Sequence, residues 1–303
     1  MTARTTPETS RPSTIVRAEA TIRRLDHPEA VRELLAPSAA YAAYALAYLD
    51  PALFRLSRFY EARLNDKSAL LMHARGGLGA STLLLGDGAL LSVLLKLHPG
   101  PRQTLLTCDP AQVDRTLSSR NLWRPQSMLR LRVDRDSFKP PSSAAAVRAL
   151  TRADAPELNR LYALEGEGAA HSGQQIEAGA FYGALVRGRL VATAGTHIYS
   201  RREGVAVVGN VFTHPDFRGR GLGTAVTAAV TEHVLGDADL VVLNVDPANR
   251  TARQIYEKLG YRDAGRLVEA MSTLCHAASP APLFHRLLGR WRSGTAGVET
   301  VVV

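Results

Sequence analysis

The sequence predicts an α/β chain, of the α+β kind with a mixed central sheet, laid out in two halves. Three observations predict it. Short apolar runs rich in β-branched residues recur between stretches of helical periodicity. A glycine loop, Pro215–Thr224, lies between one such run and one such stripe. Lys139–Ala146, with tandem prolines and no periodicity, separates two segments of similar length. At 303 residues the chain is long enough for two domains of ordinary size.

In chain order, residues 1–27 are expected to be disordered or extended, Thr5–Thr14 being polar throughout. Pro28–Tyr48 is alanine-rich and reads as helix. Ala69–Ala74, Ala80–Leu85, Gln103–Thr107 and Met128–Val133 read as strands, and Asp109–Leu117 as a helix capped by Asp109. Gly76–Gly79 and Gly86–Gly88 read as hairpin turns, and His98–Pro101 as a further turn. Residues 28–138 are therefore expected to form an N-terminal α/β domain, 139–146 a linker and 147–275 a second domain. In the second domain, Val205–Phe212 has the composition of a buried strand, and Leu222, Val226, Val230 and Val234 recur at about one helical turn. Leu240–Val245 reads as a strand buried on both faces. Asn249 stands at an N-cap, Ala252, Ile255, Tyr256 and Leu259 share one helix face, and Gly260 supplies the stop. Residues 276–303 form a tail in which Phe284, Leu287, Leu288 and Trp291 make a basic amphipathic stripe. That stripe is expected to dock on its own domain or a twin subunit, and Val298–Val303 could add a strand at a dimer edge.

The loop PDFRGRGLGT carries the chemistry. Gly219, Gly221 and Gly223 allow positive φ and close approach of a ligand, and the N–H groups of a following helix favour an anion there. Arg218 and Arg220 add guanidinium forks suited to phosphate. No Lys-Ser or Lys-Thr follows the last glycine, which excludes the nucleoside triphosphatase P-loop. Thr224 stands where the dinucleotide fingerprint requires a third glycine or alanine.

Arg218-x-x-Gly221-x-Gly223 resembles the pyrophosphate loop of the GNAT superfamily of acyl-CoA-dependent acyltransferases. Asn249-x-x-Ala252-x-x-x-Tyr256-x-x-x-Gly260-Tyr261 resembles that superfamily's second motif. The resemblance implies acetyl-CoA as cosubstrate. Its pantetheine would run along Val211, Phe212 and Thr213, its pyrophosphate would meet the N–H groups of Arg218, Gly219, Arg220, Gly221, Leu222, Gly223 and Thr224, and Asn249 would bond pantetheine amides. It also implies attack of an amine on the thioester, with Tyr256 as general acid toward the leaving thiol; the competing reading places Tyr256 in the core. No carboxylate occurs from Val205 to His214, where related enzymes carry a glutamate base and this chain has Val207 or Val208. Candidates for the base are Glu165, Glu167, His171, His197 or a water held by Asn210, while His214 is expected to shape the turn before Pro215.

The layout also resembles tandem proteins of the glycine N-acyltransferase-like branch, in which a degenerate GNAT-like half precedes the active one. The first half lacks Arg-x-x-Gly-x-Gly and is expected to shape the substrate cleft. A net charge of +9 suits a polyphosphate ligand, but the arginines are scattered and no basic run is interleaved with aromatics, so nucleic acid is not an expected partner. Cys108 and Cys275 are expected to be free thiols, with no metal spacing. No apolar run approaches the ~20 residues of a membrane span. The expected protein is cytoplasmic, acetylating a small-molecule amine or a protein or peptide amino group, and possible homodimer formation is noted. The alternative is a non-catalytic acyl-CoA-binding or sensing protein.

Overall fold

A computed structural model describes residues 19–76, 79–114, 119–141, 146–165, 171–275 and 298–302. Helical and strand periodicities place most elements where the sequence puts them. In the first half these are β1 (Glu19–Leu25), α1 (Pro28–Leu35), α2 (Ala43–Ala47), α3 (Pro51–Phe54), β2 (Ser57–Leu64), β3 (Lys67–Gly76), β4 (Gly79–Gly86), α4 (Gly88–Leu97), β5 (Gln103–Cys108) and β6 (Arg120–Val133). The second half contains β7 (Val147–Ala149), α5 (Ala155–Tyr162), α6 (Gly173–Ala178), β8 (Phe181–Val186), β9 (Arg189–Ser200), β10 (Val205–Thr213), α7 (Leu222–Leu235), β11 (Leu240–Val245), α8 (Arg250–Lys258) and β12 (Arg262–Leu274). A last strand, β13 (Val298–Val302), lies within the tail.

Several expectations need correction. The segment expected as disordered or extended ends in β1, whose alternating burial gives it a core face. The alanine-rich stretch is not one helix. It passes from α1 through a 3₁₀ turn at Ala36–Ser38, where Pro37 removes a donor, and resumes at α2. Gly86–Gly88 is not a hairpin turn but a strand-to-helix junction, because Asp87 accepts hydrogen bonds from the N–H groups of Ala89 and Leu90 and opens α4. Gly76 does pair with Gly79 at the end of the β3–β4 ladder. Asp109 caps a 3₁₀ turn, Pro110–Gln112, and residues 115–117 of the expected helix lie outside the described residues. β13 pairs antiparallel with β1 of its own chain and is the outermost strand at that end of the sheet. The amphipathic stripe at 284–291, Thr5–Thr14 and the middle of the linker lie outside the described residues.

All thirteen strands form one mixed sheet in the order β13-β1-β2-β3-β4-β5-β12-β6-β11-β10-β9-β8-β7. Each half contains one parallel pair with a helix between its strands. These are β4–α4–β5, paired Ser81 to Leu105, and β10–α7–β11, paired Val205 to Leu240. The strand that follows each pair then crosses to the other half. β6 lies against β11, and β12 lies against β5, with β6 and β12 antiparallel at the centre. The sequence boundary at the linker is therefore not the boundary between sheet halves. Arg120, fully buried, fastens this exchange by donating to Ser272 Oγ on β12 at 2.9 Å and to the carbonyls of Pro99 and Pro101.

The second half of the sheet is covered on both faces. Ala206, Val208, Val241 and Leu243 pack with Val226, Val230 and Val234 of α7. Val205, Val207 and Val242, on the opposite face, pack with Val31, Leu35, Ala43 and Leu46 of α1 and α2. Helices from the first half thus form the far wall of the second half. Each fully buried Val or Leu contributes about 1.5–3 kcal/mol, so this wall is anchored by its apolar side chains.

Candidate active site

Two local features open the sheet between β10 and β11. Their parallel pairing ends at Val208 with Leu243, leaving the β11-facing edge of Gly209–Thr213 without a strand partner. Opposite β9, Asn210 and Val211 together face the single position left between Gly195 and Thr193, a bulge that turns the strand outward. Asn210 holds the bulge in the left-handed region at φ 52°, which asparagine tolerates better than most residues. Tyr162 of α5 donates its hydroxyl to the Asn210 carbonyl, and the Asn210 amide donates to the Thr196 carbonyl at 3.3 Å. Val211–Thr213 therefore lie on an open, splayed edge able to form backbone hydrogen bonds.

That edge leads into the glycine loop. Gly219 and Gly221 both have φ of 74°, and a Cβ at either would meet open space, so backbone conformation, not crowding within the protein, calls for glycine there. Gly223 is different: it is helical, and a Cβ would come 3.3 Å from Thr213 Oγ1, so it seats the helix on the end of β10. Gly221 is the N-cap of α7 and offers no side-chain cap, and the first turn carries no acidic residue. The helix ladder begins with Ala225 N–H to the Gly221 carbonyl. The N–H groups of Leu222, Gly223 and Thr224 precede it and lie outside the helix ladder, where the helix dipole adds positive potential. The Arg218 N–H is already bonded to the Pro215 carbonyl. Its guanidinium donates to the Thr213 carbonyl, and that of Arg220 to the Asp216 carbonyl; both side chains are exposed.

Asn249 caps α8 through Oδ1, which accepts from the Ala252 N–H at 3.0 Å, leaving its amide NH₂ for other partners. Tyr256, 7% exposed on α8, packs in the same cluster as Leu222, Val226 and Leu243, with the Tyr261 ring 5.9 Å away. Its hydroxyl has no hydrogen bond among the described residues. It is also absent from the sealed polar atoms, so it keeps a path to solvent. Burial pushes its pKa up to about 12, which keeps the phenol protonated.

Of the base candidates, His171, His197 and Asn210 lie near one another. Glu167 and the side chain of Glu165 lie outside the described residues. His171 is buried among Tyr162 and Phe181, and burial lowers its pKa. His197 sits on β9 at the other irregularity of the β9–β10 ladder, with its ring over Gly209. Tyr44 of α2 shares a 2.6 Å hydrogen bond with His197 Nδ1. Burial, with His171 and Arg130 nearby, lowers the pKa of His197 to about 4, so the ring is neutral at neutral pH. His214 accepts from the Asp216 N–H and shapes the turn before Pro215.

Sequence reasoning missed four polar residues on the wall opposite α7: Tyr44 on α2, Arg130 on β6, Asn244 on β11 and Glu269 on β12. Asn244 donates to Glu269 Oε1 at 2.7 Å, and Arg130 lies 5.7 Å from the Tyr44 ring centroid. Asn244 and Glu269 each interrupt an apolar run, which is the available signal, whereas Arg130 alternates with Arg132 and Tyr44 lies between Tyr41 and Tyr48, and nothing local says that the strand exchange brings them together.

Residues 147–261 match the family model described as "Acetyltransferase (GNAT) family". A mycothiol acetyltransferase of Thermobispora bispora is 37% identical over 86 residues, covering 27% of this chain and 29% of that protein, so the match spans less than a third of the relative's length. Among solved structures, a Drosophila protein has a TM-score of 0.61 at 17% identity, covering 83% of this chain and 98% of its own. A GCN5-related N-acetyltransferase from Kribbella flavida has a TM-score of 0.54 at 21% identity, covering 78% and 97%. Another from Sphaerobacter thermophilus has 0.51 at 15%, covering 84% and 95%. These structures share the fold with this chain, and the family-model match lies within its second half.

Proposed function

We propose that the protein is an acyl-CoA-dependent N-acetyltransferase, moving an acetyl or short acyl group from its CoA thioester to a primary amine by direct attack. The observation that carries this reading is the continuity of the opened β10 edge with an uncapped helix N-terminus. A pantetheine arm would take backbone hydrogen bonds from Val211, Phe212 and Thr213, and its pyrophosphate would take the loop N–H groups from Gly219 to Thr224, with Arg218 and Arg220 swinging onto it. The Arg218 N–H is the exception, since the Pro215 carbonyl already holds it. The free amide of Asn249 is left for a pantetheine carbonyl.

Catalysis needs a neutral nitrogen and a stabilised leaving sulfur. As the nitrogen bonds to the acyl carbon, the carbon–sulfur bond breaks and its electron pair stays on sulfur. Tyr256 serves as the acid by donating a hydrogen bond to that sulfur. Full proton transfer from a phenol of about 12 to a thiolate of about 8.5 would be uphill by about 5 kcal/mol, so solvent completes the protonation. Of the base candidates, His197 is neutral and weakly basic, with its ring hydrogen-bonded to Tyr44 and to Asn210, and Glu165 and Glu167 remain open.

The N-terminal half reads as a degenerate copy of the same plan, because β4–α4–β5 followed by a crossing strand repeats β10–α7–β11 and its crossing strand. Its helix N-terminus is closed to an anion by the Asp87 carboxylate, where α7 has Gly221. A cleft of about 610 Å³ remains beside it, lined by Leu84, Gly86, Gly88 and Asp109. The acceptor would be a small-molecule amine or a protein or peptide amino group, and a cytoplasmic enzyme able to pair as a homodimer is part of this reading. Thiol release from acetyl-CoA with a panel of free amino acids, amino-acid amides, polyamines, aminoglycosides and peptides tests it. Acceptor-dependent release is expected; cofactor binding without release for any acceptor would favour a sensing role.

A further inference from the structure

Asn244 is the first residue of β11 beyond its last pair with β10, so it stands at the mouth of the opened edge. Its amide NH₂ holds Glu269, while its Oδ1 is buried with no hydrogen-bond partner. Arg130 is directly opposite Asn244 in the β6–β11 register and is 1% exposed. One guanidinium nitrogen, Nη1, donates to the Ala40 carbonyl at 3.0 Å, whereas Nε and Nη2 have no partner. Arg130 and Glu269 interact electrostatically but form no ion pair. On the β10 side of the opening, Tyr44 bonds His197, whose ring covers Gly209. These groups face the side of the sheet away from α7.

An enclosed guanidinium with two idle donors beside a half-buried carboxyl that it does not touch is unfavourable for folding alone. The same arrangement is useful to a ligand that brings a positive group for the carboxylate and an oxygen for the guanidinium. We propose that this cluster is the acceptor site, and that it takes an α-amino acyl group: the primary amine at Glu269, and the oxygen of the adjacent carboxylate or carboxamide at Arg130 Nε and Nη2.

The proposal rests on the acyl-transfer reading for its chemistry, not for its binding. Burial raises the Glu269 carboxyl above its ordinary range, against the opposing pull of Arg130 and Asn244. Tyr44 and, behind it, Tyr41 and His197 are the other titratable groups around the pair. A carboxylate so placed can take one proton from the entering ammonium, leaving the neutral amine that forms the new carbon–nitrogen bond. The nitrogen's second proton leaves to solvent.

Calorimetric titration of the full-length protein with glycinamide, glycine and propylamine at pH 8 tests the site. Glycinamide or glycine should bind at least tenfold more tightly than propylamine, and the preference between those two says whether a carboxamide or a carboxylate is read. Glu269→Gln, which keeps the hydrogen bond from Asn244, should weaken binding at least tenfold. Arg130→Met should remove the preference over propylamine. If Arg130→Met fails to fold, Glu269→Gln and the wild-type preference decide. No binding to wild type, equal binding of propylamine and glycinamide, or binding unchanged in Glu269→Gln would overturn the proposal. Acetyl-CoA titrated separately distinguishes the two readings: a protein that binds glycinamide through Glu269 but does not bind acetyl-CoA keeps this site and loses the acyl-transfer function.

Discussion

At the scale of single residues, Tyr256 and Gly260 have different jobs that substitutions can separate. Tyr256 packs its ring in the core but leaves its hydroxyl without a protein partner, so Tyr256→Phe should leave the fold and acetyl-CoA affinity unchanged. Steady-state turnover should fall about 10²-fold, the lower end of what one positioned acid supplies. Equal turnover in the phenylalanine variant would return Tyr256 to a packing role. Gly260 works through both conformation and close packing. Its φ is 92°, and a Cβ would come 1.8 Å from the Ser137 carbonyl oxygen, in the segment where Lys139 N–H bonds the Leu259 carbonyl. Left-handed strain of about 1–2 kcal/mol adds to that backbone collision, so Gly260→Ala should lower unfolding free energy by several kcal/mol in a denaturant titration.

At the scale of elements, α4 and α7 are the same kind of helix with opposite N-termini. Asp87 gives α4 an internal anion, held below the ordinary carboxylate range chiefly by the Leu90 N–H, whereas Gly221 leaves α7 open. Asp87→Ala should therefore cost about 1 kcal/mol of stability, as a lost cap does, while acetyl-CoA affinity stays as it was. Parallel loss of affinity would show that the first half also holds cofactor. The same contrast explains what was legible in the sequence. The α7 loop is contiguous, and its glycines, arginines and flanking periodicities can be read within thirty residues. The β10 and β11 strands were likewise visible as apolar runs. By contrast, β1 and β2 mix charged and apolar residues, and Asp87 was read as part of a turn because local sequence does not distinguish an Asx turn from a helix cap. The Tyr44, Arg130 and Glu269 group is assembled by α2 and by two strands that exchange halves, a long-range event with no local signature.

At the scale of the whole molecule, the exchange of β6 and β12 makes the halves one sheet, so the far wall of the opened edge belongs to both. One prediction belongs to this scale because it concerns a neutral histidine in each half. His73 on β3, bonded to Thr82 and the His98 carbonyl, and His197 on β9 are both lowered by burial to about 4. Unfolded, each would titrate near about 6.5 and bind more protons than when folded. Their contribution is therefore complete above that value and is lost as pH falls from about 6.5 through about 4, on the order of 3 kcal/mol for His73 and less for the partly exposed His197. Thermal unfolding followed from pH 8 to 4 should show that decline, and His73→Gln should flatten part of it. The central claim, acyl transfer at an anion site made by the α7 N-terminus, is tested most directly by comparing wild type with Gly221→Glu. A side chain there would carry left-handed strain and bring a carboxylate to the phosphate position. Mass spectrometry of an amine incubated with acetyl-CoA should find the acetylated product with wild type, and at least a 100-fold loss of both product and acetyl-CoA affinity with a folded Gly221→Glu. Product formed equally by the two proteins would contradict the account.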